Sequence, residues 1–199
     1  MEASLSAAAE SLWQTLELRL ARAHPGLLAR LPAGADVRAL DAIERELGVR
    51  LPPLARAIYL VHDGIGMPHI KDRRVCQSYF LSLADALSAW RSQRDALREG
   101  RFGDLRIERV GGPVRADWWN TRWLPIASTA TGDFDCIDVD PAQGGRPGQV
   151  ITYWHDDRER FVRAPDLAEY LLEEVDAAEW AIGEGLLPTP PPWRGTHEA

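Results

Sequence analysis

The sequence is poor in several features that would place it in a specialised class of protein. Its 199 residues include two cysteines, one lysine among 23 basic residues, and no apolar stretch of the roughly 18 to 20 residues that a membrane helix needs. The first ten residues lack the basic start and apolar run of a signal peptide. We therefore expect a cytoplasmic protein that makes no membrane contact. Arginine in place of lysine is typical of GC-rich genomes and predicts a bacterial source.

The motifs of the common catalytic and cofactor-binding sites are also missing. Gly64-Ile65-Gly66 lacks the third glycine of a dinucleotide-binding turn, and neither a phosphate-binding loop nor a Gly-x-Ser-x-Gly elbow is present. The five histidines never recur at the four-residue spacing that pairs two ligands on one helix face. Cys76 and Cys136 are far apart and have no further ligand nearby, which predicts reduced thiols. We expect no catalytic residue, no cofactor and no metal.

The length and composition are those of one ordinary domain. The chain is 45% hydrophobic and 27% charged, and a chain of this length buries enough surface to fold without disulfides or metals. We expect a single domain over residues 1–186. Residues 187–199 contain four prolines and few apolar side chains, so they predict a flexible tail.

The net charge of −7 is unevenly distributed along the chain. Residues 130–185 hold 14 acids and 4 bases, a net charge of −10, whereas the remainder holds 16 acids and 19 bases, a net charge of +3. Nucleic acid is therefore an unsuitable partner for the acidic third, because phosphate binding needs clustered Lys and Arg. The acids could steer a basic protein partner, or they could simply solvate a surface.

Hydrophobic periodicity predicts helices in the first hundred residues. A helix capped by Asp36 places Val37, Leu40, Ile43 and Leu47 on one buried stripe and ends at Gly48. Further helices are expected over residues 5–20, after Pro52-Pro53, and from Ser82, where Asp85 completes a capping pattern, to Gly100.

The second half of the sequence is extended in character. Residues 123–127, 134–139 and 150–154 are β-rich runs with short connections, which predicts three neighbouring antiparallel strands. Residues 101–122 show no period and are expected to be irregular, and a last helix begins near Pro165. Helices before and after a run of strands indicate an α+β fold with a mainly antiparallel sheet.

Clustered carboxylates are the most suggestive chemistry in the chain. They lie at residues 133–140 and at His155-Asp156-Asp157, where neighbouring strands end. The apolar face of the first run switches near Cys136, which indicates either a bulge there or a strand buried on both faces with its acids at the ends. We favour structural turn and rim carboxylates over metal ligands. As partner-binding candidates we select the acids that flank strands or a helix, namely Asp133, Asp135, Asp156, Asp157 and, less strongly, Asp63.

Seven of the eight tryptophans divide into two groups. Helical or strand spacing predicts core positions for five of them, Trp13, Trp90, Trp123, Trp154 and Trp180. Adjacent Trp118 and Trp119 lie in the irregular segment, where they could form an interaction surface or a lid on the core, and both are partner-binding candidates.

The order of these motifs resembles the SUKH superfamily, which includes the fungal Smi/Knr-type cell-wall regulators and many bacterial immunity proteins. The similarity runs from about Trp13 to Asp176. It is carried by Leu47-Gly48, Leu51-Pro52, His62-Asp63-Gly64, Trp123-Leu124-Pro125-Ile126, Gly132-Asp133, Ile137 to Pro141 and Trp154-His155-Asp156.

The resemblance implies an α+β domain that binds proteins and has no catalytic centre. Its first functional expectation is an immunity protein that neutralises a cognate bacterial toxin, with a basic toxin domain as the partner of the acidic third. The second is a regulatory or scaffold module that docks on cellular proteins. A third hypothesis, which rests on the clustered carboxylates and not on the resemblance, is a carboxylate-dependent metal enzyme.

Overall fold

Eleven helices and strands are present in the computed structural model, which describes residues 2–23, 28, 31–65, 79–129 and 132–184. Along the chain, three helices are followed by one short strand, a fourth helix, five strands and a last helix. The helices are α1 (Glu2–Ala23), α2 (Val37–Leu47), α3 (Pro53–Val61), α4 (Leu83–Arg98) and α5 (Leu167–Gly183). The strands are β1 (Tyr79–Phe80), β2 (Arg109–Gly111), β3 (Trp123–Ser128), β4 (Phe134–Asp138), β5 (Gln149–Tyr153) and β6 (Glu159–Ala164).

The predicted helix ends are confirmed. The Asp36 side chain accepts a hydrogen bond from the backbone N–H of Arg38, and the Ser82 side chain accepts one from the N–H of Asp85. Gly48 follows α2 with a φ of +68°, a conformation that costs a residue without a Cβ little. Short local signals therefore set these boundaries.

The strands form one sheet in the order β1-β3-β4-β5-β6-β2. All neighbours are antiparallel except β2 and β6, which are parallel. The predicted α+β class, the mainly antiparallel sheet and the three neighbouring strands are confirmed. β4 pairs with β5 without a register shift, and the irregularity lies on β3 between Pro125 and Ala127. Proline has no backbone N–H to donate to a neighbouring strand, which explains why the bulge lies beside Pro125 and not at Cys136.

Both faces of β4 are covered, which is the second of the two alternatives for this strand. Tyr170 of α5 lies on the face of Asp135, while Tyr153 and the loop that carries Trp119 lie on the face of Cys136. Cys136 is a buried free thiol, and burial raises its pKa well above the usual range. Cys76 falls outside the described residues.

The short strand β2 and the strand β6 were absent from the sequence-based assignment. β2 lies within the segment expected to be irregular, and its three residues pair with the beginning of β6. β6 contains Glu159, Arg160 and Arg163, whose charges interrupt the apolar alternation that marks a strand.

Most tryptophans occupy the expected core positions. Trp13, Trp90 and Trp123 are buried, and the indole N–H groups of Trp13 and Trp90 donate to the carbonyls of Ile58 and Thr121, at 3.0 Å each. The expectation for Trp154 was wrong, because this residue follows the end of β5 and is 41% exposed. Val37 was also assigned to the buried stripe of α2 and is exposed. The side chain of Trp180 and residues 187–199 lie outside the described part.

Asp135 was expected to face outward and is instead buried, with 9% exposure. Its Oδ2 accepts a hydrogen bond of 2.8 Å from the Tyr170 hydroxyl, and desolvation raises the pKa of the carboxyl. Asp138 is also buried, accepts hydrogen bonds from the N–H of Asp140 and from Gln149 Nε2, and has its pKa raised by burial. Two acids of β4, Asp135 and Asp138, are thus buried in the fold and hydrogen-bonded there.

Truncation of the buried tryptophans tests the core. Trp13→Ala and Trp123→Ala should each lower the free energy of unfolding by roughly 3 to 5 kcal/mol, because each leaves a large cavity. Leu18→Ala is the control, since Leu18 is 64% exposed on α1 and should change stability by less than about 0.5 kcal/mol. Urea unfolding followed by fluorescence or circular dichroism measures all three, and equal losses would contradict the assignment.

The pH dependence of stability tests the buried Asp135. Asp135→Asn keeps an oxygen that can accept from Tyr170 but removes the desolvated charge. The pKa of Asp135 is higher in the folded state than the ordinary carboxyl value of about 4. The wild type therefore loses stability as the pH rises from about 4 to this raised pKa, because the unfolded state releases its proton first. The variant has no carboxyl group at this position and avoids the loss. The stability of the variant relative to wild type should therefore increase through that window and then level off.

Urea titrations between pH 4 and pH 8 measure this difference. Asp156→Asn is the matched control, because it makes the same substitution at an exposed carboxylate in place of the buried one. Parallel pH curves for wild type and Asp135→Asn would contradict the prediction.

Candidate functional site

Arg160 is the residue around which the candidate site is built. It lies on β6, is fully buried, and is oriented toward the connection between β5 and β6. Its Nη1 donates to the carbonyls of Glu159 and Asp157 at 2.7 and 3.1 Å, and its Nη2 donates to the carbonyl of Trp118 at 2.9 Å. One side chain therefore ties the β5–β6 turn to the segment before β3.

Aromatic rings enclose the same guanidinium group. Its central carbon lies 4.7 Å from the centroid of Tyr153 and 5.3 Å from that of Trp118. Burial lowers the pKa of Arg160 and raises that of Tyr153 to about 12. Among the described residues no carboxylate forms an ion pair with Arg160, so carbonyl dipoles and π faces stabilise its charge. This enclosure fixes the backbone of the turn.

The fixed backbone displays a mixed aromatic and acidic surface. Trp154, His155 and Asp156 are exposed, and Asp157 and Trp118 are half-buried. We call these five residues the turn surface. Exposed tryptophan on a rigid support is a feature of protein-binding sites, since little conformational entropy is lost on binding.

Asp133 joins the turn surface from the β3–β4 connection. Its Oδ1 accepts hydrogen bonds from the backbone N–H of His155 at 3.0 Å and from His155 Nδ1 at 2.8 Å. Asp133, Asp156, Asp157 and Trp118 are thus brought together, although they were selected separately from the sequence.

The other three candidates lie elsewhere. Asp135 is in the interior, as described above. Asp63 accepts a hydrogen bond of 2.7 Å from the N–H of Leu83, so it holds the beginning of α4. Trp119 is 3% exposed and packs edge-on against Trp123 and Tyr153, at centroid distances of 6.0 and 5.0 Å. Its selection as a contact residue was wrong, because it is part of the core.

The acidic third of the sequence does not form one acidic face. Several of its carboxylates pair with arginines, three of which come from outside the third. These ion pairs are Asp140 with Arg115, Glu159 with Arg109, Glu173 and Glu174 with Arg163, and Asp176 and Glu179 with Arg19. Asp156 and Asp157 remain without an ion pair in the part of the chain that the structure describes. Two of the acids that form no ion pair among the described residues therefore lie on the turn surface.

Two residues of the site were missed by the sequence analysis. Arg160 was overlooked because β6 was not recognised as a strand. The alternation of Arg160 with Val162 and Ala164 on one face was the pattern that could have indicated a strand there. Trp154 was assigned to a strand, although the run His155-Asp156-Asp157 immediately after it indicates a turn.

Asp133, His155 and Asp156 are the described residues that could together hold a metal ion, with ligand atoms within 4.8 Å of one another. We still expect no metal ion to be held tightly, because two of the three side chains are exposed and Asp133 Oδ1 is already hydrogen-bonded to His155.

Elemental analysis of protein purified without chelator should find well below one ion per chain. One ion per chain, lost in both Asp133→Asn and His155→Ala, would contradict this.

No helix in the described ranges has the length and hydropathy of a membrane-spanning segment.

A model of the SMI1 / KNR4 family (SUKH-1) matches residues 34–173, which include α2 to β6 and the turn surface.

The similar proteins with curated names are fungal. The cell wall biosynthesis/cell cycle regulator smi1 of Schizosaccharomyces pombe is 26% identical over 207 residues, which cover 92% of this chain and 39% of that protein. The glucan synthesis regulatory protein of Neurospora crassa is 20% identical over 87% of this chain and 40% of that protein. The cell wall assembly regulator SMI1 of Saccharomyces cerevisiae is 20% identical over 85% and 41%.

The chain thus spans about two fifths of the length of these relatives. They are named as regulators of the cell wall or of glucan synthesis, and they favour the regulatory expectation over toxin neutralisation. The match of the family model across more than half of the sequence shows that the chain belongs to the SMI1/KNR4 family (SUKH-1).

Proposed function

We propose that this chain is a non-catalytic regulatory module that docks on other proteins, with the turn surface as its contact. The observation that carries the proposal is the exposed Trp154 on a turn whose carbonyls are held by the buried Arg160. A preorganised turn loses little conformational entropy on binding, and tryptophan is enriched among the residues that contribute most binding energy.

The charge of the turn surface indicates the chemistry of the partner. Asp156 and Asp157 flank the exposed ring without ion pairs in the described part of the chain, and Asp133 lies beside them in contact with His155. Carboxylates around an aromatic anchor suit a partner that presents Arg or Lys next to an apolar pocket. The partner is therefore expected to be basic at the contact.

The names of the relatives support the regulatory part of the proposal. They are regulators of cell wall biosynthesis, glucan synthesis or cell wall assembly, and none of these three names describes an enzyme activity. Toxin neutralisation and a bacterial source stay predictions from the resemblance and the composition, and no described contact favours them over regulation.

Variants of the turn surface test the proposal. Trp154→Ala and Asp156→Lys should each reduce the amount of specific partner retained from an extract of the native cells by about tenfold, while melting temperature stays within a few degrees of wild type. The retained partner should also associate more slowly as the Debye length falls from about 30 Å at 0.01 M salt to about 10 Å at 0.1 M.

Leu18→Ala is the control for loss of an exposed apolar side chain at another place in the fold. It should retain the partner as wild type does. Normal binding by both turn variants, together with an association rate that does not depend on salt, would rule out the turn surface as the contact.

A further inference from the structure

A second surface lies at the other end of β5, around the loop between α2 and α3. β5 spans about 13 Å between the Cα atoms of its first and last residues, and the loop at its beginning carries Pro147 and Gly148. A groove there is separate from the turn surface. The names of the relatives indicate no role for this groove, and the inference drawn from it does not depend on the proposed function.

The walls of the groove are held by a buried carboxylate. Glu44 of α2 is 7% exposed, and its Oε1 accepts a hydrogen bond of 3.1 Å from the N–H of Leu51. Its Oε2 lies 3.0 Å from Arg56 Nη1 of α3, and Arg56 also pairs with Asp41 at 2.7 Å. These contacts fix the α2–α3 loop against both helices, so the groove is formed before any ligand arrives.

The groove is long and continuous. Its middle section has a volume of about 750 Å³, and the sections at either end have volumes of about 580 and 300 Å³. Val49 and Arg50 line both the first and the middle section, while Leu5, Pro52 and Pro147 line both the middle and the last. We call this continuous cleft the α2–α3 groove. Much of its surface is apolar.

The charges along the groove are positive and unneutralised. Arg45, Arg50 and Arg146 line it, are exposed, and form no ion pair with any described residue. The carboxylates that also line it are already engaged. Asp41 and Glu44 pair with Arg56, and Asp166 accepts hydrogen bonds from the first N–H groups of α5. Three of the arginines that form no ion pair among the described residues thus line this groove, in a chain whose net charge is −7.

We infer that the α2–α3 groove binds an acidic peptide segment that carries apolar side chains. The guanidinium groups of Arg50 and Arg146 would bind its carboxylates, for which the planar guanidinium has a matching geometry. Val49, Leu51 and the prolines would contact its apolar side chains. A single-stranded nucleic acid suits the groove poorly, since no aromatic side chain among the described residues lines it and bases would have nothing there on which to stack.

Two labelled synthetic peptides test the inference. One alternates Glu with Leu over ten residues, and the other replaces each Glu with the uncharged Gln, which the acidic turn surface does not attract. Fluorescence anisotropy with the full chain should show at least tenfold tighter binding of the Glu-Leu peptide, and its affinity should fall as salt is raised. Arg50→Glu and Arg146→Glu should each weaken binding by about tenfold.

Arg98→Glu is the matched control, because Arg98 is an exposed arginine at the end of α4 that does not line the groove. This variant and Trp154→Ala should both bind the peptide as wild type does, so failure at the groove is distinguishable from failure at the turn surface. Circular dichroism of every variant should match wild type.

Four outcomes would overturn the inference. The first is equal affinity for the two peptides, and the second is unchanged binding by both groove variants. The third is binding to vesicles rich in anionic phospholipid with none to the Glu-Leu peptide, which would make the groove a lipid contact. Concentration-dependent self-association abolished by Arg50→Glu, without peptide binding, would assign the groove to a second copy of the chain and would equally overturn it.

Discussion

The covering of β4 on both faces is the constraint from which much of this structure follows. A strand packed between α5 on one side and the Trp119 loop on the other has no water to solvate its polar side chains. Asp135 and Asp138 therefore accept hydrogen bonds from Tyr170 and Gln149, and burial raises the pKa of both carboxyls. Carboxylates that the sequence groups together are thus divided between interior and surface.

The same packing leaves both proposed contacts at the ends of strands. The faces of the central strands are occupied, and the turn surface and the α2–α3 groove lie at opposite ends of β5. At one end Arg160 holds the β5–β6 turn and displays Trp154 with Asp156, and at the other Glu44 holds the α2–α3 loop beside unpaired arginines. One end is acidic and aromatic, and the other is basic and apolar. The two proposed contacts would together connect two proteins of opposite charge.

The chain belongs to the SMI1/KNR4 family, and the binding role that we propose for it rests on the turn surface. Arg160, which supports that surface, contacts carbonyls and aromatic rings. The curated relatives are regulators that are more than twice as long as this chain, so the shared region is one module within them. Docking surfaces at the ends of a sheet are what such a module would contribute.

The sequence by itself determined the local features of this protein. Asp36, Ser82 and Gly48 marked helix ends, and β-rich runs gave three antiparallel strands, because capping and alternation depend on near neighbours. Only the tertiary structure decided which acids and tryptophans face water. Asp135 and Trp119 became interior and Trp154 became exposed, since exposure depends on the packing of elements distant in sequence. Ion pairs such as Arg19 with Glu179 likewise join acids of residues 130–185 to arginines distant in sequence, which the charge distribution along the chain did not reveal.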